Sequence, residues 1–464
     1  MEQTKTLNLI KNSSDGVRDL TQGSPYSVIL SFAFPFFISQ VFQQLYNVVD
    51  SLIVGRFLGT TALAAVSTSG TLIFMIVSFF EGAAMGGSVV IARYFGAKDA
   101  GRVSLAIHTA VTLALVMSVF MTAFGVLFTP QILRWMNTDP EVLPEAVSYF
   151  RTIFAGCIGL VVYNMGRSVM VAVGDSKRPL YYLIFSALTN IALDYLFVGV
   201  FGWGVWSAAF ATILSQSLSA VFCIGHLMQK GHVYTLSLSK LGFDMPLLWE
   251  TIKYGMPSGI QNSVIGFANV IVLSQINSFG TFAMAAFGSH AKIEGFAFIP
   301  IMALNLAVTT FISQNLGAKE YARAKQGARF CMTLSPLLAE IIGVIYYFHS
   351  PLLIGLFDKT PEVLELGVTQ AHIIPLFYCL LAFSHAVAAV CRGAGKAFVP
   401  MFVMLSVWCV IRVAYILIVM NVFGDIWYVY WAYPLTWGIS SVIYLLYYLF
   451  SDWVHGFESK SDVK

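Results

Sequence analysis

Charge is what this chain has least of. Asp, Glu, Lys and Arg make up 11% of its 464 residues, against about 25% in soluble domains. The 26 Lys and Arg nearly balance the 23 Asp and Glu, and the net charge of +3 makes no basic face. That excludes nucleic acid as a partner. The cysteines are Cys157, Cys223, Cys331, Cys379, Cys391 and Cys409, all in or beside apolar runs, with no C-x-x-C. A redox pair and a thiolate metal site are excluded, and the six read as small helix-packing residues. H-E-x-x-H, G-x-S-x-G and G-x-x-x-x-G-K-[ST] are also missing. No enzyme is indicated, no cofactor is called for, and an ATP-driven motor on this chain is excluded. Residues 1–25 are polar and mixed in charge, unlike a signal peptide.

What the chain has instead is apolar length. Hydrophobic residues make up 58%, and the mean hydropathy is +0.77. A soluble or disordered chain does not look like this; a polytopic membrane protein does. Apolar runs between charge and Gly/Pro punctuation predict 12 spans. They lie at 27–54, 60–86, 103–128, 142–171, 179–200, 205–228, 250–276, 283–312, 326–348, 363–390, 398–420 and 427–450. An even number puts both termini on one side. With the termini cytosolic, 19 of the 26 Lys and Arg fall in cytosolic segments. Arg151, Arg167, Lys292 and Arg412 lie within spans, and only Arg56, Arg134 and Lys359 fall in outer loops, which is a strong positive-inside bias.

The sequence repeats itself. Gly96-Ala97-Lys98-Asp99 returns as Gly317-Ala318-Lys319-Glu320, and Pro140-Glu141-Val142-Leu143 as Pro361-Glu362-Val363-Leu364, both 221 residues on. Pro179 and Pro400 share that offset, and Pro35 and Pro257 nearly do. The expected fold is an all-α integral membrane protein of 12 transmembrane helices, in two parallel six-helix bundles related by pseudo-two-fold symmetry. The divisions are a cytosolic tail 1–26, a bundle 27–228, a polar linker 229–249, a second bundle 250–450 and a tail 451–464. Two such bundles around a cleft suit alternating access.

Polar groups at membrane depth mark the candidate site, because lipid cannot satisfy them. The first span carries Gln40, Gln43, Gln44, Asn47, Asp50 and Ser51 at helical spacing, with Tyr46 one turn before Asp50. The stripe reads as cavity lining or as glue between helices. The fifth span adds Asn190 and Asp194, and the sixth adds Thr212, Ser215 and Gln216. Two carboxylates, an amide and a hydroxyl suit a small hard cation or a shared proton. The second half has no such acids: Val272 matches Asp50, and Arg412 lies near the position of Asp194. Glu81, Lys292 and Glu294 are secondary candidates: Glu81 reads as a relay or a packing acid, and Lys292 and Glu294 as neutralising a neighbour or, less readily, as substrate contacts. Glu340 shows no partner in the sequence. His372 and His385 read as packing residues rather than proton carriers.

These features resemble the multidrug and toxic compound extrusion family over nearly the whole chain. The resemblance rests on Pro35 followed by Asp50, on Val54-Gly55 with Leu58-Gly59 and Ala62-Leu63-Ala64-Ala65-Val66, and on the paired Gly-Ala-Lys-Asp/Glu loops. The run Lys292-Ile293-Glu294-Gly295-Phe296 through Pro300 belongs to it as well. It implies a V-shaped pair of bundles exporting organic cations in exchange for H⁺ or Na⁺. In the branch with its cation site in the first lobe, Asp50, Asn190, Asp194 and Thr212 fall on the family's ion-site positions. Tyr46 and Gln43, and more weakly Tyr149, match residues lining that cavity. Another branch places acids on the seventh and tenth helices, and here those carry only Glu250 at the entry of the seventh and Glu365 near the start of the tenth. The expectation is a cation-coupled antiporter in a bacterial-type cytoplasmic (inner) membrane, working as a monomer in the lipid bilayer with no ATPase subunit. The alternatives are a lipid-linked saccharide flippase of the same superfamily and a non-transporting membrane protein.

Overall fold

This computed structural model describes residues 17–135, 138–229, 232 and 234–458, with backbone alone at 60, 67–76 and 79. Every regular element among them is helical. The order opens with α1 (Pro25–Leu58), α2 (Thr60–Gly96), α3 (Ala100–Trp135), α4 (Leu143–Ala155) and α5 (Cys157–Ala172). Then come α6 (Lys177–Asp194), a π-helical turn (Tyr195–Val200) and α7 (Trp206–Leu227). The second half runs α8 (Met245–Asn277), α9 (Thr281–Ala297), α10 (Ile299–Gly317), α11 (Tyr321–Gly355), α12 (Pro361–Ala371) and α13 (Tyr378–Gly393). It ends with α14 (Phe398–Met404), a second π-helical turn (Leu405–Ile411), α15 (Arg412–Val422) and α16 (Ile426–Phe450).

Each expected span falls on one of these helices or on a broken pair. Nine described helices are long and apolar enough to cross a membrane. A tenth span is α4 with α5, bent by 51° at Gly156. The last span, α16, carries no charge, but six Tyr and three Trp lower its hydropathy. Several helices outrun their apolar stretches: α2 continues to Gly96 and α11 to Gly355. Helix formation does not stop where hydropathy does, because Ser, Arg and Tyr still propagate a helix.

The backbone carries the repeat as plainly as the sequence. Left-handed residues recur at the same offset: Gly59 with Gly280, Lys98 with Lys319, and Gly174 with Gly395. Gly202 and Gly424 pair one residue later. The two lysines end α2 and α10 in the same way. Asp99 N–H donates to the Tyr94 carbonyl at 3.1 Å, and Glu320 N–H to the Asn315 carbonyl at 2.8 Å. That 6→1 closure needs a left-handed residue and normally takes glycine there.

The chain packs as two units. One is built on Ile38–Gly259, the other on Leu20–Phe37 and Ile260–Lys464. The expected boundaries at 229 and 250 are therefore not where packing divides the chain. The first turns of α1 pack with the second unit. There Leu20 N–H donates to Gln314 Oε1 at 3.1 Å, and the Tyr26 ring meets Phe330 edge-on. The first turns of α8 pack with the first unit, where Gly255 and Gly259 meet Gly82 of α2 backbone to backbone. Each division falls within three residues of a helix-interior proline, Pro35 or Pro257. Proline removes one rung of the helical ladder there. The polar stretch before α8 is docked on α3: Ser237, Gly242 and Asp244 N–H groups donate to His108 Nε2, Thr112 Oγ1 and Thr109 Oγ1.

Candidate functional site

The first unit gathers the acidic candidates. Asp50, near the end of α1, is 9% exposed, while Asn190 and Asp194 on α6 are 1% and 0% exposed. The i, i+4 spacing puts Asn190 and Asp194 on one face. The π-helical turn begins at the next residue, a geometry that often accompanies function. The carboxyls of Asp50 and Asp194 come within hydrogen-bond reach of each other. Asn190 Nδ2 donates to Thr212 Oγ1 on α7 at 3.4 Å.

No protein donor reaches the oxygens that remain. Asp50 Oδ1, Asp194 Oδ1 and Oδ2, and Asn190 Oδ1 are buried without a partner among the described residues. Gln216 Oε1, one turn beyond Thr212, is in the same condition. Buried acceptors left bare are costly, and two carboxylates this close cannot both stand as naked anions. All the available ligand atoms are hard oxygens. They fit a proton or a small cation such as Na⁺, and not a thiolate- or imidazole-seeking metal.

Of the other first-span candidates, one is tied to this pair. Tyr46 lies within electrostatic range of both acids and is half-buried, as are Gln40 and Gln43; Asn47 is exposed. Tyr149 on α4 is 7% exposed and also faces the pair. It packs with Val54, Ala62, Val198 and Val205, so the acids sit against an apolar wall.

The secondary candidates do not join this group in one place. Glu81 is exposed on α2 and lines a separate pocket of about 390 Å³, mouth included, with Asn164 and the methionines 117, 121 and 165. Lys292 is exposed, its ammonium 5.4 Å from the centre of the Phe357 ring. Glu294 lies in the second unit, within electrostatic range of Arg412. Glu340, partnerless in the sequence, accepts the Cys379 N–H at the start of α13 at 3.2 Å. His385 stacks edge-on against Trp408, and His372 lies 4.4 Å from the Tyr347 ring centre. One polar cluster went unread in the sequence. Glu250 on α8 meets Arg93 at 3.4 Å and Tyr94 Oη at 3.3 Å, while Arg102 donates to that same Tyr94 oxygen at 2.9 Å. Long sequence separation hides such a network from any local pattern.

Comparison with known proteins agrees with this architecture. The MatE family model matches twice, at residues 35–196 and 257–418, in register with the internal repeat. The chain is 29% identical over 431 residues to the probable multidrug resistance protein YoeA of Bacillus subtilis, covering 90% of this chain and 92% of that one. It is 26% identical over 394 residues to the probable multidrug resistance protein NorM of Thermotoga maritima, with 82% of each covered. Its fold superposes with a TM-score of 0.89 on a MOP-superfamily transporter from Pyrococcus furiosus, at 21% identity, over 96% of this chain and 99% of that one. The doubled match, the repeat and the two helical units lead to one statement: this chain is a multi-pass membrane protein belonging to the MatE, or multidrug and toxic compound extrusion, family of transporters.

Proposed function

We propose that the protein is a secondary antiporter that exports amphipathic organic cations in exchange for H⁺ or Na⁺. The reading rests on one observation above all: four buried oxygens of Asp50, Asn190 and Asp194 that no donor satisfies among the described residues. In this reading Asp50 and Asp194 bind the coupling ion. Asn190 and Thr212 hold the oxygen cage in shape, and Gln40, Gln43, Tyr46, Asn47 and Tyr149 line the substrate's approach. Ion and substrate favour different states of the transporter, and exchange needs that difference in affinity. The chain works as a monomer in a cytoplasmic membrane with both termini in the cytosol. The names of its multidrug-resistance relatives support the substrate class.

The test is ethidium retention in an efflux-deficient bacterial host, with wild type and Asp50→Asn at matched membrane expression. Wild type lowers retention and the variant does not. Equal lowering by both would keep export and remove Asp50 from the coupling site. No lowering by either would favour the flippase reading.

A further inference from the structure

The second unit holds two charges at membrane depth that its own side chains leave unmatched. Arg412 opens α15 directly after the π-helical turn and is 3% exposed. Its Nε and Nη2 both donate to Thr436 Oγ1, at 3.1 and 2.9 Å. Thr436 is neutral, and its hydroxyl proton goes back to the carbonyls of its own helix. One edge of the guanidinium fork is thus held. The other edge, Nη1 with the second N–H of Nη2, makes no hydrogen bond among the described residues.

The surroundings fix the group without neutralising it. The Tyr433 and Trp408 rings flank the guanidinium at 4.6 and 5.4 Å. Trp408 is pinned by its Nε1–H to Ser440 Oγ at 3.1 Å. Glu294 on α9 is the acid in electrostatic range of Arg412, yet the two form no ion pair. Its carboxyl makes no hydrogen bond among the described residues. Tyr346, Tyr378 and Tyr433 lie within electrostatic range of it. The Tyr378 hydroxyl is buried and unpartnered, as is Nε2 of His290 one turn before Glu294.

A charge left without a partner at membrane depth is costly. A ligand that carries both opposite charges removes that cost at both ends. A carboxylate suits the free guanidinium edge, which offers two parallel N–H donors. A substituted ammonium suits a carboxylate with tyrosine rings in range. We infer that Glu294 and Arg412 form a zwitterion subsite in the second unit, taking cargo that bears a carboxylate beside its cationic nitrogen. The inference deepens the organic-cation export reading and rests on it. It gives Arg412 the carboxylate and Glu294 the cationic end.

The test uses a dye pair that differs by one ester. Rhodamine 110 carries a free carboxylate; rhodamine 123 is its methyl ester. Fluorescence anisotropy on the purified full-length protein gives the affinity ratio of the two dyes, with ethidium as the control cation. Wild type binds rhodamine 110 about tenfold more tightly than rhodamine 123, the scale of a hydrogen bond to a charged group. Arg412→Gln brings the affinity ratio of the two dyes to near one. Arg412→Lys, with charge but no fork, keeps part of the preference. Glu294→Gln weakens both dyes alike. The ratio is internal to each preparation, so partial loss of folded protein does not alter it. Equal wild-type affinity for the two dyes, or an unchanged ratio in Arg412→Gln, overturns the subsite and leaves the export reading standing while ethidium binds. Failure to bind any of the three dyes overturns both.

Discussion

Asn190 donates to Thr212 across 3.4 Å, while its own carbonyl oxygen is buried without a donor among the described residues. Three carboxylate oxygens of the Asp50–Asp194 pair are likewise buried without a partner among the described residues. A side chain that merely glued helices together would be satisfied. The bare oxygens are the observation on which the proposed ion site rests.

Removing either acid therefore separates stability from coupling. Asp194→Asn takes away a buried charge that nothing in the protein neutralises. Thermal stability of the purified variant is expected to hold or rise, while its response to the driving ion disappears. Coupled systems change affinity by about 5- to 150-fold. That factor, read as substrate affinity with and without the ion gradient or Na⁺, is expected to fall to near one. A destabilised Asp194→Asn that still responds to the ion would show that the acid is structural.

Thr212 tests the cage from the other side. Thr212→Ser keeps the acceptor for Asn190, and Thr212→Val keeps the shape but removes it. The valine variant leaves a buried amide N–H unmet, at about 1–3 kcal/mol, and frees Asn190 to rotate. Lower thermal stability and weakened ion response are expected for valine and not for serine. If valine and serine behave alike in both measurements, the Thr212 hydroxyl plays no part.

The paired left-handed lysines make a prediction about the fold alone. Lys98 and Lys319 have φ near 58° and 60°. A side chain costs about 1–2 kcal/mol in that region, and β-branching makes it worse. Lys98→Val and Lys319→Val should each lower the midpoint of thermal unfolding. Lys98→Gly relieves the strain but adds about 0.5–1 kcal/mol of unfolded-chain entropy, so it should be neutral or stabilising. Thermal unfolding of the four single variants, both lysines to Val and to Gly, checks this. A valine variant as stable as glycine at either position would contradict it.

Much of this was legible in the sequence, for identifiable reasons. The helices were visible because lipid imposes long apolar runs. The repeat was visible because its turn residues are fixed by backbone geometry, as at Lys98 and Lys319. Asp50, Asn190 and Asp194 stood out because polar residues are rare at that depth. Two kinds of fact stayed hidden. Which unit claims the first turns of α1 and α8 depends on packing between segments far apart in sequence. How Arg412 is held depends on Thr436, a residue with no local link to it. A usable signal did exist for α8: Gly82 and Gly86, like Gly255 and Gly259, are spaced by four.

That spacing carries the last prediction. In the first unit a Cβ placed at Gly82 would fall on the backbone of Gly259 and Gly255, and one at Gly86 on Thr251 and Gly255. The obstacles are backbone atoms of a second helix, so no rotamer change relieves them. Close approach through small residues is how membrane helices gain dispersion contacts when lipid supplies no hydrophobic drive. Gly86→Val should therefore cost more than the ~1–3 kcal/mol of ordinary overpacking, and the protein should be lost from the monodisperse peak on size exclusion. Gly225 and Gly288 have open space around the same position. Gly225→Ala and Gly288→Ala should express and unfold much like wild type. If Gly86→Val behaves as they do, α2 and α8 are not in backbone contact. The assignment of the first turns of α8 to the first unit would fall with it.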